Sequence, residues 1–117
     1  MAPVQLHFTI DDIARGEAIV ANLLDARLIA CAQTIGPITS RYRWHGSIEQ
    51  AQEWLFVCKT THDLAPPAIE VIRARHPYET PEIVEIAITG GLGPYLDWIA
   101  AETATARGTD SRRSPDA

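Results

Sequence analysis

Hydrophobic positions along this chain change period several times, and each change marks an element. Residues 4–9 (VQLHFT) alternate apolar and polar, the pattern of a strand with one covered face. Asp11 and Asp12 follow, suited to cap a helix and to place negative charge at its positive end. Ile13, Val20, Leu23, Leu24 and Leu28 then recur at helical spacing and predict a helix over 12–28. From Ala30 to Arg43 the chain is strand-like again, with Gly36-Pro37 predicting a bulge or bend. Beyond it Ile38, Ser40, Tyr42 and Trp44 share one face, while Thr39, Arg41, Arg43 and His45 share the other.

His45-Gly46-Ser47 reads as a hairpin turn, with glycine supplying a positive φ. The returning strand is polar from Ile48 to Glu53 and ends in the apolar run Trp54–Cys58, typical of a strand covered on both faces. Asp63 is the expected cap of a second helix, whose first turn accepts Pro66 and Pro67 because its N–H groups have no helical partner. Ile69 and Ile72 mark its inner side, and Pro77 stops it. Glu82 to Thr89 alternates as a last strand, Gly90-Gly91 breaks it, and Tyr95, Leu96, Trp98 and Ile99 predict a third helix.

The order β-α-β-β-α-β-α predicts an α+β fold, a ferredoxin-like βαββαβ sandwich with an extra C-terminal helix. Residues 1–103 form the expected domain. Residues 104–117 are small and polar, have no apolar period, and predict a disordered tail. The hairpin over 38–60 is long for such a core and carries Tyr42 and Trp44 on its outer half. That overhang predicts an oligomer built by strand pairing between subunits, which also hides sheet edges.

Composition narrows the function. A length of 117 residues fits one domain, and 46% apolar content suffices for a real core without staples. The net charge of −5 argues against a nucleic-acid or anionic-membrane partner. No run approaches the ~20 apolar residues of a membrane span, and MAPVQLHFTI lacks the basic start of a signal peptide. The expectation is a soluble cytoplasmic protein. Cys31 and Cys58 lack CxxC spacing and read as small buried hydrophobes.

Candidate chemistry concentrates in His76-Pro77-Tyr78-Glu79-Thr80-Pro81-Glu82, where two prolines fix the backbone around an imidazole, a phenol and two carboxylates. An imidazole there suits proton transfer or a transition metal. The plainer reading is a helix-to-strand turn in which His76 bonds the last helical carbonyls. His7, His45 and His62 stand alone, with no HxH or HExxH pair to close a zinc site. Glu49 and Glu53 share a strand face and offer a pair of carboxylates, though a solvated hairpin surface is the plainer reading, and Tyr42 and Trp44 read as interface filler. Lys59, if drawn inward, needs a carboxylate or anion. Asp11 and Asp12 would repel an anion in the loop after the first strand, and no P-loop, GxGxxG or Gly-x-Ser-x-Gly motif is present.

These segments resemble the CutA divalent-cation-tolerance family. The matching pieces are LLDARLIACAQTI (23–35), ITSRYRWHGSIEQ (38–50), Lys59-Thr60-Thr61, HPYETPEIV (76–84) and YLDWI (95–99), spread over about residues 4–103. The resemblance implies a ferredoxin-like protomer in a tight homotrimer similar in plan to the PII signalling trimers. It also implies a response to divalent metals, copper among them. The chain is expected not to be an enzyme, because no nucleophile–base spacing supports one. The family's copper ligands, a first-strand cysteine and two histidines opening the HPY motif, fall on Phe8, Arg75 and His76 here. What remains for a metal is His76 with carboxylates such as Glu82, a set that favours hard or borderline ions over Cu(I). Trp44, Lys59 and Tyr78 are the candidate residues of an inter-subunit cleft. The alternative is a small-ligand sensor or minor enzyme using that cleft, with His76 as acid/base and Tyr78, Lys59 and Glu82 orienting the ligand.

Overall fold

The computed structural model describes residues 2–103, so the expected tail over 104–117 lies outside the described residues. Strand β1 (Pro3–Ile10) pairs antiparallel with both β3 (Ser47–Thr61) and β4 (Ile83–Ala87), and β3 pairs antiparallel with β2 (Cys31–Trp44). The sheet order is therefore β2-β3-β1-β4, with α1 (Ile13–Asp25) and α2 (Ala65–Arg75) as the crossovers of a ferredoxin-like unit. A third helix, α3 (Gly93–Glu102), follows.

Alternation along β1 decides which face is core. Val4, Leu6, Phe8 and Ile10 point toward α1 and α2 and are fully or almost fully buried with Ile19, Leu23, Phe56, Cys58 and Ile72. Phe8 and Phe56 are cross-strand partners whose rings stack with centroids 4.9 Å apart. The opposite face carries His7, Thr9, Leu55, Val57 and Lys59, together with Ile35, Val84 and Ile86. Helix α3 covers one end of that face. Its Ile99 is buried, and its Tyr95 hydroxyl lies 3.7 Å from Cys31 Sγ.

Several local expectations shift. Asp12 caps α1 as expected, accepting from the Ala14 and Arg15 amides. The buried stripe is Gly16, Ile19 and Leu23, while Ile13 and Leu24 are exposed, and the helix ends at Asp25 rather than residue 28. Arg27 closes it in the left-handed region (φ 58°), and the Leu28 amide returns to the Leu23 carbonyl. Asp63 does not cap α2. It sits in a single 3₁₀ turn, His62–Leu64, and α2 begins at Ala65 with no side-chain cap. Gly36-Pro37 forms the predicted bulge, with the β2–β3 register shifting between Ile35 and Ile38. A Cβ at Gly36 would press on the Glu53 carbonyl at 3.1 Å, and its φ of 152° favours glycine. Cys58 is buried as expected, which pushes its thiol up to about 12, whereas Cys31 is only half-buried.

Candidate functional site

The HPYETPE segment runs from the end of α2 to the start of β4 and wraps the end of β1. Pro77 biases His76 to extended backbone (ψ 139°), which stops α2 at Arg75. The His76 ring then turns into the fold and is only 8% exposed. Its Nε2–H donates to the Thr9 carbonyl at 2.7 Å, and its Nδ1 accepts the Tyr78 amide at 3.2 Å. Both nitrogens are used, which defines the neutral tautomer with the proton on Nε2. The side chain therefore ties α2 to β1, and the helical carbonyls are not its partners.

This turn delivers Tyr78 to the β2–β3 ribbon. The Tyr78 hydroxyl donates to Glu53 Oε2 at 2.6 Å, and Glu53 is only 6% exposed. The solvated-hairpin expectation thus fails for Glu53 and holds for Glu49, which is exposed. Burial, and then the Glu53 carboxylate, push the Tyr78 phenol well above its ordinary range. On the far side Thr9 Oγ1 donates to Glu82 Oε1 at 3.4 Å.

Between ribbon and turn lies an open cavity of about 720 Å³. Asp11, Glu53, Glu79 and Glu82 place four carboxylates on its wall. Tyr42, Trp44 and Tyr78 give it an aromatic side. Arg41 borders it too, but register puts the Arg41 side chain on the other face of the ribbon, where Nε donates to its cross-strand neighbour Gln50 at 3.1 Å.

The structure therefore brings Trp44, Tyr78 and Glu82 together, with His76 supporting them from behind. Lys59 is not among them. It pairs opposite Gln5 and Cys31 at the α3 end of the sheet, is 9% exposed, and donates to Gln33 Oε1 at 3.1 Å, an amide rather than the expected carboxylate. Asp11 and Thr9 join the wall without having been candidates, and of the possible carboxylate pair Glu49 and Glu53 only Glu53 lines it. The signal for Glu53 was its place directly before the apolar run Trp54–Cys58.

The copper positions implied by the resemblance do not assemble a soft-metal site. Phe8 is fully buried in the core, Arg75 is exposed, and both His76 nitrogens are occupied. Among the described residues no three His, Cys, Asp or Glu side chains gather closely enough to hold a metal ion.

A family model described as "CutA1 divalent ion tolerance protein" matches residues 4–102, nearly the whole described chain. The chain belongs to the CutA1 divalent ion tolerance family. Similar proteins include the divalent-cation tolerance protein CutA of Thermus thermophilus, 40% identical over 93 residues that cover 80% of this chain and 88% of that protein. The crystal structure of CutA from Xylella fastidiosa is 34% identical, with a TM-score of 0.85 over 89% of this chain and all of that one. A CutA structure described as periplasmic, from Archaeoglobus fulgidus, is 34% identical, with a TM-score of 0.80 over 83% of this chain and 94% of that one. The CutA1 fold thus agrees with the ferredoxin-like reading, and the family is named for tolerance of divalent ions rather than for a reaction. Among the described residues of this CutA1 member no helix is long and apolar enough to cross a membrane.

Proposed function

We propose that this CutA1 member is a non-catalytic, metal-responsive binding and scaffold protein that works as a cytoplasmic homotrimer. The observation that carries the reading is the cleft, with four carboxylates on its wall in a chain whose relatives are named for divalent-cation tolerance. Carboxylates suit hard and borderline divalent ions, and the coordination sphere is completed by neighbouring copies. Glu82 is the wall group offered to the ion. His76 joins through Nδ1 by giving up the Tyr78 amide. Assembly is supported by the sheet face left bare beside α3, where Ile35, Val84 and Ile86 are exposed.

Calorimetric titration of the metal-free chain with Cu(II), Zn(II) and Ni(II) tests this, run beside Glu82→Gln and His76→Ala. Saturable binding that Glu82→Gln weakens is the expected result. Absence of saturable heat with all three ions overturns the metal reading. A second reading is favoured by size: about 720 Å³ beside an aromatic wall is the space of a small organic ligand rather than of a bare ion. In that reading the cleft is a ligand sensor.

A further inference from the structure

We propose that Glu53 of one copy forms an ion pair with Lys59 of the next copy, so that a ring of three copies closes through three such pairs. The inference deepens the trimer reading above and rests on it, and it names the charges that order the copies.

Both side chains are already nine-tenths buried in the protomer, Glu53 at 6% and Lys59 at 9% exposure, and both have neutral partners. The Tyr78 hydroxyl donates to Glu53 Oε2 at 2.6 Å, and Lys59 Nζ donates to Gln33 Oε1 at 3.1 Å. The ion pairs among the described residues are Arg27–Glu102, His62–Glu85 and Arg73–Glu70, which include neither charge. A buried charge held by neutral groups alone is costly, and an opposite charge beside it offsets that cost. Covering this sheet face with another copy removes the remaining water, so the counter-charge must then come from that copy.

Register puts the two on one face. Along β3 that face reads Glu53, Leu55, Val57, Lys59, an acid and a base separated by two apolar side chains. Six residues of strand hold them roughly 20 Å apart, too far to pair within a chain. Lys59 is the chain's one lysine. Among the described arginines, Arg15, Arg73 and Arg75 belong to the helices, Arg27 closes α1, and Arg41 and Arg43 stand on the other face of the ribbon. Among the described residues, Lys59 is therefore the one lysine or arginine that this face can bring to Glu53. The carboxylates beside Glu53, Glu49 and Glu82, are exposed and need no such partner.

The two ends differ in a way that suits a ring. Glu53 stands where β3 loses β1 as a neighbour and the ribbon begins to overhang the core. Lys59 stands at the α3 end, paired opposite Cys31, whose thiol meets Tyr95. Joining the ribbon of one copy to the α3 end of another is a head-to-tail contact, and such contacts close into rings. Leu55 and Val57, with the exposed Ile35, Val84 and Ile86, supply its apolar middle.

A double-mutant cycle on the full chain tests the pair, with Glu53→Gln, Lys59→Gln and the two combined. Light scattering over a dilution series in sub-denaturing urea gives the concentration of half dissociation, with circular dichroism on each protein. Each single variant should raise that concentration about tenfold or more, and the combined variant should raise it no further than the worse single one. Sites this far apart in one chain are additive, so such coupling runs between copies. Losses that multiply in the combined variant overturn the pair and leave the trimer standing. Lys59→Gln keeps the test decisive if Glu53→Gln fails to fold, because within the protomer Lys59 gives up a bond to the Gln33 amide alone. An unchanged half-dissociation concentration in Lys59→Gln overturns the pair. A wild-type mass other than three chains overturns the trimer reading itself.

Discussion

Gly16 shows how closely one residue can limit this fold. It sits on the buried stripe of α1, where an added Cβ would overlap the Phe56 ring and meet Ile10 Cγ2 at 3.1 Å. The ring cannot withdraw, because it stacks on Phe8 in the middle of the sheet. Gly16→Ala therefore gains helix propensity and loses more to overpacking, with a net destabilisation of about 1–3 kcal/mol. Urea denaturation of the two proteins measures it, and equal midpoints would contradict the packing. The same residue exposes a limit of pattern reading. Glycine carries no hydrophobic signal, so a stripe counted on Ile13, Leu23 and Leu24 is rotated from the true one through Gly16, Ile19 and Leu23. Glu53 was misread for the converse reason. Its charge signals solvent, and the partner that buries it is Tyr78, 25 residues away in the chain.

Elements were more legible than their ends. All four strands and three helices follow from period and punctuation, because the alternation of β1 and the Gly36-Pro37 and His45-Gly46 signals are local facts. The start of α2 was less visible, since the chain enters it through a 3₁₀ turn rather than a side-chain cap. That turn carries a pH-sensitive tie to β4. His62 Nδ1 lies 2.5 Å from Glu85 Oε2, and the hydrogen bond, followed by the charge of Glu85, raises the His62 pKa above its ordinary 6.5. A raised folded value means that the pair stabilises the protein fully below pH 6.5 and loses that contribution as pH climbs through the folded pKa. The expected outcome is a small fall in melting temperature above pH 6.5 that Glu85→Gln abolishes. Because the pair is open to solvent, added salt should shrink the difference. An identical pH profile in both proteins would remove the tie.

At the scale of the whole molecule, the sheet has one finished face and one unfinished face. Helices α1 and α2 close the first, while α3 covers only an end of the second, leaving Ile35, Val84 and Ile86 exposed. In the proposed trimer this face meets its copies. Ile86→Glu should then reduce the mass measured by light scattering from three chains to one, with the circular dichroism spectrum kept, because the side chain is 42% exposed in the protomer. An unchanged mass would place the contact elsewhere. The unequal flanking of β3 has another consequence. Leu55–Lys59 is held between β1 and β2, whereas Ser47–Glu53 has a neighbour only in β2. One continuous strand is therefore divided into a slow-exchanging and a fast-exchanging half for amide deuterium uptake. The inner half serves as an internal clock against which the outer half is read. A strand docking on the ribbon, or a ligand seated beside Glu53, would slow the outer amides while the inner ones keep their pace.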